Sequence, residues 1–399
     1  MSTGHEAVIL SAARTAIGKF QGGLSSVPAV KLGAAAVKAA VERAGVDPNE
    51  IEEVLMGSVV QAGNGQAPAR QTAIFAGLPA TVGATAVNKV CGSGLKAAMM
   101  AAQAVRAGDA DLFVAGGMES MSRAPYLVNG RLGELKFGNQ SLTDALLHDG
   151  LWDPFENWGM GSAAEFIADE YEVTREAMDE YALRSHLKAV AAHEAGRFKP
   201  EIAPVQIPGR KGDVTVFDTD EGPRKDTSLE SLKKLKPAFK AEGKVTPGNA
   251  SSMNDGAAAV VISSRAYAEK NNLKPMARIA GYAQAAVEPK YLFAAPGYAI
   301  PKLLKKINWQ LSDVDLFEVN EAFAAQVLAN GYALAGQGWD WDKVNVNGGA
   351  IALGHPLGAS GTRVLTTLVH ALKDRGLKRG VTALCLGGCE AVAMAVEIE

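Results

Sequence analysis

The chain has 399 residues, enough for two or three domains, and its 40 Lys and Arg against 43 Asp and Glu leave a formal net charge of -3. That balance offers no polycationic footprint for a nucleic-acid backbone, and 48% hydrophobic with 21% charged residues excludes a disordered or fibrous chain. Forty-three glycines stand well above the usual share of about 7%, so many backbone positions make tight turns or close approaches. In chain order, apolar and β-branched runs at 7–10, 54–60, 112–115, 258–262, 316–319 and 381–386 alternate with Ala-rich helical stretches. This is the pattern of an α/β protein on a covered, largely parallel sheet. Between 121 and 248 the texture changes to aromatic, charged, Pro and Gly residues around one long helix over 174–195, which reads as an inserted subdomain. Thr174 is its N-cap, Glu176 lies near its positive end and Gly196 stands just past its last turn.

The two longest stretches without Asp, Glu, Lys or Arg, 71–88 and 344–362, carry Gly, Pro or Asn throughout, so no membrane span is expected. The opening MSTGHEAVILSAART lacks a basic region followed by an apolar run and reads as mature protein. Cys91, Cys385 and Cys389 are odd in number and too few for a disulfide framework, which fits a reducing cytoplasm. The C-x3-C spacing of the last two has no second close pair, so no metal site is expected.

A long-range repeat organises the rest. LFVAGGME at 112–119 resembles LCLGGCE at 384–390, and each follows an Ala/Leu-rich helix introduced by a Val-Asn segment: VNKVCGSG at 87–94 and VNGGAIALGHPLGASG at 346–361. Two related halves about a pseudo-twofold would bring Cys91 and His355, both just ahead of equivalent helices, towards the midline.

Cys91 precedes Gly-Ser-Gly and a helix of small residues, a position at the positive end of a helix dipole that favours thiolate over a free-thiol pKa of about 8.5. His355, between Gly354 and Pro356 on a glycine-rich loop, is suited to take a proton from such a thiol. Cys385 ends a strand and is followed by Gly387 and Gly388, whose free amides can hold an oxyanion. Asn320, in VNEAFAA, reads either as a helix N-cap or as an amide that orients a water towards developing charge. Gly92, Gly94 and Ala97 also spell G-x-G-x-x-A, the spacing of a dinucleotide fingerprint, which keeps an NAD-dependent oxidoreductase as an alternative.

Five ordered blocks now carry a resemblance: NKVCGSGLKA around Cys91, NASSMNDGAAA from Asn249, VNEAFA around Asn320, GGAIALGHPLGASG around His355 and LCLGGCE around Cys385. Together they resemble the signature of the thiolase family, in its acetyl-CoA acetyltransferase branch. The resemblance implies duplicated βαβαβαββ halves in a five-layered α-β-α-β-α arrangement with an inserted loop subdomain. It implies an N-terminal half at 1–120 plus 249–271, a loop domain at 121–248 for coenzyme A binding and oligomer contacts, and a C-terminal half at 272–399.

It also implies an acyltransferase of fatty acid metabolism that runs a Claisen condensation of two acetyl-CoA to acetoacetyl-CoA and CoA, or thiolysis of 3-oxoacyl-CoA. His355 would activate Cys91, which becomes acylated while the amides of Cys91 and Gly387 hold the oxyanion. Cys385 would then take a proton from Cα of the second acetyl-CoA, with His355 and a water held by Asn320 stabilising the enolate. By the same likeness Ser251 would contact pantetheine, Met160 and Phe323 would line the acyl end, and Arg224 would meet the nucleotide. No permanently bound cofactor is implied; the protein would be a homodimer or homotetramer. Three departures stand out: Cys389 and Glu390 follow Gly388 where the family usually has a third glycine, Gly159 precedes Met160 where a His is common, and Ser252-Met253 replaces Gly-Leu. The first of these leaves a catalytically silent acyl-CoA-binding relative as a further alternative.

Overall fold

A computed structural model describes residues 5–128, 130, 133, 137–209 and 212–399. The N-terminal half runs β1 (Ala7–Thr15), α1 (Ala29–Ala44), β2 (Glu53–Gly57), α2 (Pro68–Phe75), β3 (Gly83–Val87), α3 (Ser93–Ala107) and β4 (Leu112–Ser120). An insertion carrying α4 (Met160–Glu170) and α5 (Arg175–Glu194) follows, and β5 (Asn254–Ser264) completes the half. The second half runs β6 (Ala277–Ala286), α6 (Pro296–Ile307), β7 (Leu316–Val319), α7 (Ala324–Leu334), α8 (Leu357–Arg375), β8 (Arg379–Leu386) and β9 (Glu390–Ile398). The reading of 1–120 and 121–248 as units includes twelve residues outside the described ones: 1–4, 129, 131, 132, 134–136, 210 and 211.

One continuous sheet takes the order β7-β8-β9-β6-β1-β5-β4-β2-β3. The largely parallel sheet expected from the apolar runs is instead mixed. Among the nine strands of this order, β2–β3, β2–β4 and β7–β8 pair in parallel, whereas β1–β5, β1–β6, β4–β5, β6–β9 and β8–β9 are antiparallel. Strands covered on both faces carry the same unbroken apolar runs in either sense, so periodicity alone does not distinguish them.

The duplication is visible in strand order. Each half places its third, second, fourth, fifth and first strands side by side; in the second half the third is reduced to a parallel bridge between Phe317 and Val344. The halves meet where β1 pairs with β6, at Val8 with Arg278 and Ile9 with Ala277.

Five layers result. Helices α1 and α2 pack Leu32, Val37 and Ala73 on Val54, Met56 and Val114. On the other side α3 and α8 form a shared middle layer, with Leu95, Val105, Leu365 and Leu368 buried against Phe113 of one half and Leu384, Val392 and Met394 of the other. Helix α6 covers the outer face of the second half through Ile300, Leu303 and Leu304 on Val319, Val381 and Ala393. Fully burying each such side chain contributes about 1.5–3 kcal/mol. Among the described residues no helix is long and apolar enough to cross a membrane.

Glycines let the two middle helices cross at their first turns. A Cβ on Gly361 would lie 2.3 Å from Leu95 N, and one on Gly94 2.6 Å from Thr362 Oγ1. A Cβ on Gly92 would lie 2.3 Å from Leu386 Cδ2. The G-x-G-x-x-A spacing therefore has a packing cause: its glycines face side chains and backbone of the opposite half, which leaves no room there for a dinucleotide pyrophosphate, and the oxidoreductase alternative loses its motif.

The inserted segment is tied down by charge. Arg14, fully buried, donates to Asp220 at 2.7 and 2.9 Å and to Glu201 at 2.6 Å. Thr174 caps α5 by accepting from Ala177 N at 3.1 Å, as its sequence position predicts.

Candidate active site

The crossing of α3 and α8 sets the site, because Cys91 lies two residues before one helix and His355 two residues before the other. Backbone strain raises the cysteine: Val90 has φ 45, left-handed for a β-branched residue. Ser93 Oγ accepts from Lys89 N at 2.8 Å and donates to Val90 O at 2.6 Å, which holds this turn. The backbone amides of Gly387 and of Cys91 itself favour the ionised form of the Cys91 thiol. It packs against the cluster of Val59, Val60, Met121 and Leu357, the last being the first residue of α8.

Burial works against the thiolate that the helix start favours. Burial pushes the Cys91 thiol up to about 11, the two amides pull against this, and the carboxylate of Glu119 adds to the rise. Burial likewise pushes His355 down to about 3, with Arg363 acting in the same direction. The resting pair is thus neutral thiol and neutral imidazole.

Hydrogen bonds fix the ring. Ser360 Oγ donates to Pro356 O at 2.9 Å, so at 2.6 Å from Nδ1 it accepts the imidazole N–H, and Nε2 keeps its lone pair. The backbone of His355 donates to Asn254 Oδ1 at 2.9 Å. Asn320 is fully buried, its Nδ2 3.4 Å from His355 Nε2 and its Oδ1 without a protein partner. The N-cap reading of Asn320 fails, since α7 starts at Ala324 after Phe323; the side chain faces the imidazole instead.

Cys385, at the end of β8, is buried, and desolvation followed by the nearby Cys91 sulfur raises its thiol well above the ordinary value. It shares an apolar cluster with Phe323, Cys389, Ile351 and Phe293, against which Met160 packs from the start of α4. Ser251 lies beside this cluster, its N and Oγ both donating to Ala322 O, at 3.0 and 2.9 Å. Arg224 is exposed; its N–H donates to His186 Nδ1 at 3.2 Å, and a Cβ on the neighbouring Gly222 would lie 2.1 Å from Ala352 O, so this loop rests on the segment leading to His355.

Sequence reasoning missed the residues that brace the site. Asn254 lies within a quoted block, and Ser360 stands five residues after His355. Glu321 accepts from Tyr181 Oη at 3.0 Å, Ser185 Oγ at 2.7 Å, Asn345 Nδ2 at 2.9 Å and Ile351 N at 3.0 Å. Its place beside Asn320 in VNEAFAA was the available signal.

A duplicated five-layer α/β enzyme with one thiol at a helix start, a second at a strand end and an imidazole from the opposite half is what the fold and site define. The chain belongs to the thiolase family: the thiolase N-terminal domain matches residues 7–266 and the thiolase C-terminal domain residues 273–398. It is 54% identical over 392 residues to an acetyl-CoA acetyltransferase of Cupriavidus necator, covering 98% of this chain and 99% of that one. A Pseudomonas aeruginosa acetyl-CoA acetyltransferase is 53% identical over 390 residues, with 98% of each chain covered. The solved acetyl-CoA acetyltransferase of Bacillus anthracis superposes with a TM-score of 0.95 at 42% identity, covering 99% of both chains.

Proposed function

We propose that the protein is an acetyl-CoA C-acetyltransferase that joins two acetyl-CoA into acetoacetyl-CoA and CoA, and in reverse cleaves 3-oxoacyl-CoA with CoA. The observation that carries this reading is a pair of neighbouring thiols with separate surroundings, Cys91 packed on Val59, Val60, Met121 and Leu357 and Cys385 within the apolar cluster of Phe323 and Ile351.

In the first half-reaction His355 Nε2 takes the Cys91 proton as sulfur attacks the thioester carbonyl. Because the resting pair is neutral, proton transfer accompanies attack and no ion pair stands ready. The amides of Cys91 and Gly387 hold the oxyanion; the intermediate collapses, and CoA leaves as the thiol with the proton returned from His355. In the second half Cys91 is occupied, so a different base is required. Cys385 passes its own proton to His355 Nε2 and, as a thiolate, removes a Cα proton from the second acetyl-CoA, while the Nε2–H of His355 and a water on Asn320 donate to the enolate oxygen. The enolate attacks the acyl-enzyme carbonyl, Cys91 leaves and recovers its proton from His355, and acetoacetyl-CoA is released, with Cys385 again a thiol.

Ser251 meets pantetheine, Met160 and Phe323 bound the acyl end, and Arg224 meets the nucleotide. Residues 121–248 serve as the coenzyme A and oligomer-contact unit between halves at 1–120 plus 249–271 and 272–399. The working state is a homodimer or homotetramer in the cytoplasm, serving fatty acid metabolism.

Incubation with acetyl-CoA should give one acetyl adduct by intact mass, absent in Cys91→Ser. Cys385→Ser should still accept the acetyl group yet make no acetoacetyl-CoA. Equal loss of both steps in Cys385→Ser would refute its role as the second base.

A further inference from the structure

Glu119 closes the first copy of the repeated Gly-Gly-x-Glu segment. Its counterpart Glu390 is half-buried and pairs with Lys89. Glu119 is 1% exposed, and its three hydrogen bonds all come from backbone amides. Oε2 accepts from Val59 N at 3.0 Å and Gly358 N at 2.9 Å, and Oε1 accepts from Val60 N at 3.2 Å. Gly358 is in the first turn of α8, a helix whose N-cap Pro356 offers no side-chain acceptor, so Glu119 satisfies one of its orphan donors from a strand 239 residues away. Val59 and Val60 belong to the cluster against which Cys91 packs. A single carboxyl therefore joins the floor under the nucleophile to the helix turn just beyond His355.

We propose that Glu119 is a positioning residue of the first half-reaction, setting the separation of Cys91 and His355 by bridging residues 59–60 to Gly358. This rests on the acyl-Cys91 reading above. The spacing matters because a misplacement of about 1 Å can cost on the order of 10²-fold in rate. A Cβ on Gly117 would lie 2.0 Å from Gly358 O, so β4 and α8 already touch at this level and the carboxyl sets an alignment within a tight seam. Glu119 also faces Cys91 electrostatically. Burial pushes the carboxyl up to about 7, the three amides oppose that, and Asp255 on β5 adds to it. Cys91 in turn raises the neighbouring Cys385 thiol, and Arg363 acts on His355.

Two variants of the full chain separate charge from reach. Glu119→Gln keeps the length and removes the charge; Glu119→Asp keeps the charge and shortens the bridge. The readings are the single-turnover acetylation rate by quenched intact mass, KM for acetyl-CoA, and the pH profile of Cys91 alkylation by iodoacetamide followed on its peptide. Both variants should acetylate at least about tenfold more slowly, with KM within about twofold. The alkylation profile should move to lower pH in Glu119→Gln and stay with wild type in Glu119→Asp, a pattern that loss of packing alone does not produce. Wild-type acetylation rates in both variants, or an unmoved alkylation profile in Glu119→Gln, would overturn the inference. If Glu119→Gln does not fold, an unslowed Glu119→Asp overturns it alone. A wild-type chain that accepts no acetyl group sinks the parent reading and this inference together, whereas acetylated wild type with unslowed variants sinks this inference only.

Discussion

Ser360 Oγ stands 2.6 Å from His355 Nδ1 while giving its own proton to the Pro356 carbonyl, so one hydroxyl decides which imidazole nitrogen keeps its lone pair. Ser360→Ala strands a buried N–H, which costs about 1–3 kcal/mol of stability. It also frees the ring to place its proton on Nε2, where it cannot receive one from Cys91. We expect single-turnover acetylation to fall by about 10²-fold, the low end of what a positioned base supplies, with KM nearly unchanged. An unslowed variant would mean that another group holds the tautomer.

The pH dependence follows from the two burial-driven shifts. His355 stays neutral in the folded state down to about 3, whereas the unfolded imidazole protonates near 6.5. The unfolded chain thus binds more protons between those values, and the stability contributed by the neutral histidine is lost as the pH falls below about 6.5. Cys91, raised to about 11, gives the opposite sign at the other end: the unfolded thiol ionises first, and stability is lost as the pH climbs above about 8.5. Cys91 alkylation should therefore still be rising at pH 9, and a plateau near pH 7 would show a resting thiolate that burial does not permit.

The residues proposed to carry chemistry were legible because Cys91 and His355 sit in glycine-rich segments just ahead of helices and Cys385 just ahead of a glycine pair that joins two strands, and the repeat pointed to two related halves. What surrounds them was not. Whether a strand runs parallel depends on where the chain re-enters the sheet, and β5 re-enters only after the whole insertion, next to β1 and β4. The Cys91 thiol is pushed up by burial and by Glu119, neither of which the local sequence around the cysteine shows. Asn320 followed by Glu321 looks like a cap, yet the helix begins four residues later. Carboxylates such as Glu119 bond to amides 60 and 239 residues away, and no local spacing announces those partners.

Arg14 anchors the insertion through Asp220 and Glu201, and its removal should be costly. Burial alone would raise the Asp220 carboxyl; Arg14 and then His193, whose Nε2 lies 3.1 Å away, hold it well below the usual range. Arg14→Met leaves two buried carboxylates without their cation, a change worth about 3–5 kcal/mol. Denaturant unfolding near neutral pH should show that deficit, and it should shrink as the pH is lowered, because the uncompensated carboxyls of the variant protonate earlier than those of the wild type. A deficit independent of pH would mean that lost packing of Arg14 against Phe198, 5.0 Å from the guanidinium carbon, accounts for it.

Cys389 holds φ 67 at the end of the three-residue loop 387–389 that joins β8 to β9, a left-handed conformation that favours glycine. The cost of keeping a side chain there is about 1–3 kcal/mol, and what is kept is a sulfur 3% exposed, in one cluster with Cys385, Phe323 and the flanking Met160. The side chain thus helps wall the space where the acyl end is proposed to lie. Cys389→Gly removes the strain together with Cβ and the buried sulfur, so stability should change little while the space grows by about two methylene equivalents. A methylene in an apolar pocket discriminates by about 10-fold or more, so kcat/KM for 3-oxohexanoyl-CoA relative to acetoacetyl-CoA should rise by about that factor in the thiolysis direction. An unchanged ratio, with the variant folded and Cys91 still acetylated, would place the chain-length limit elsewhere along Met160 and Phe323.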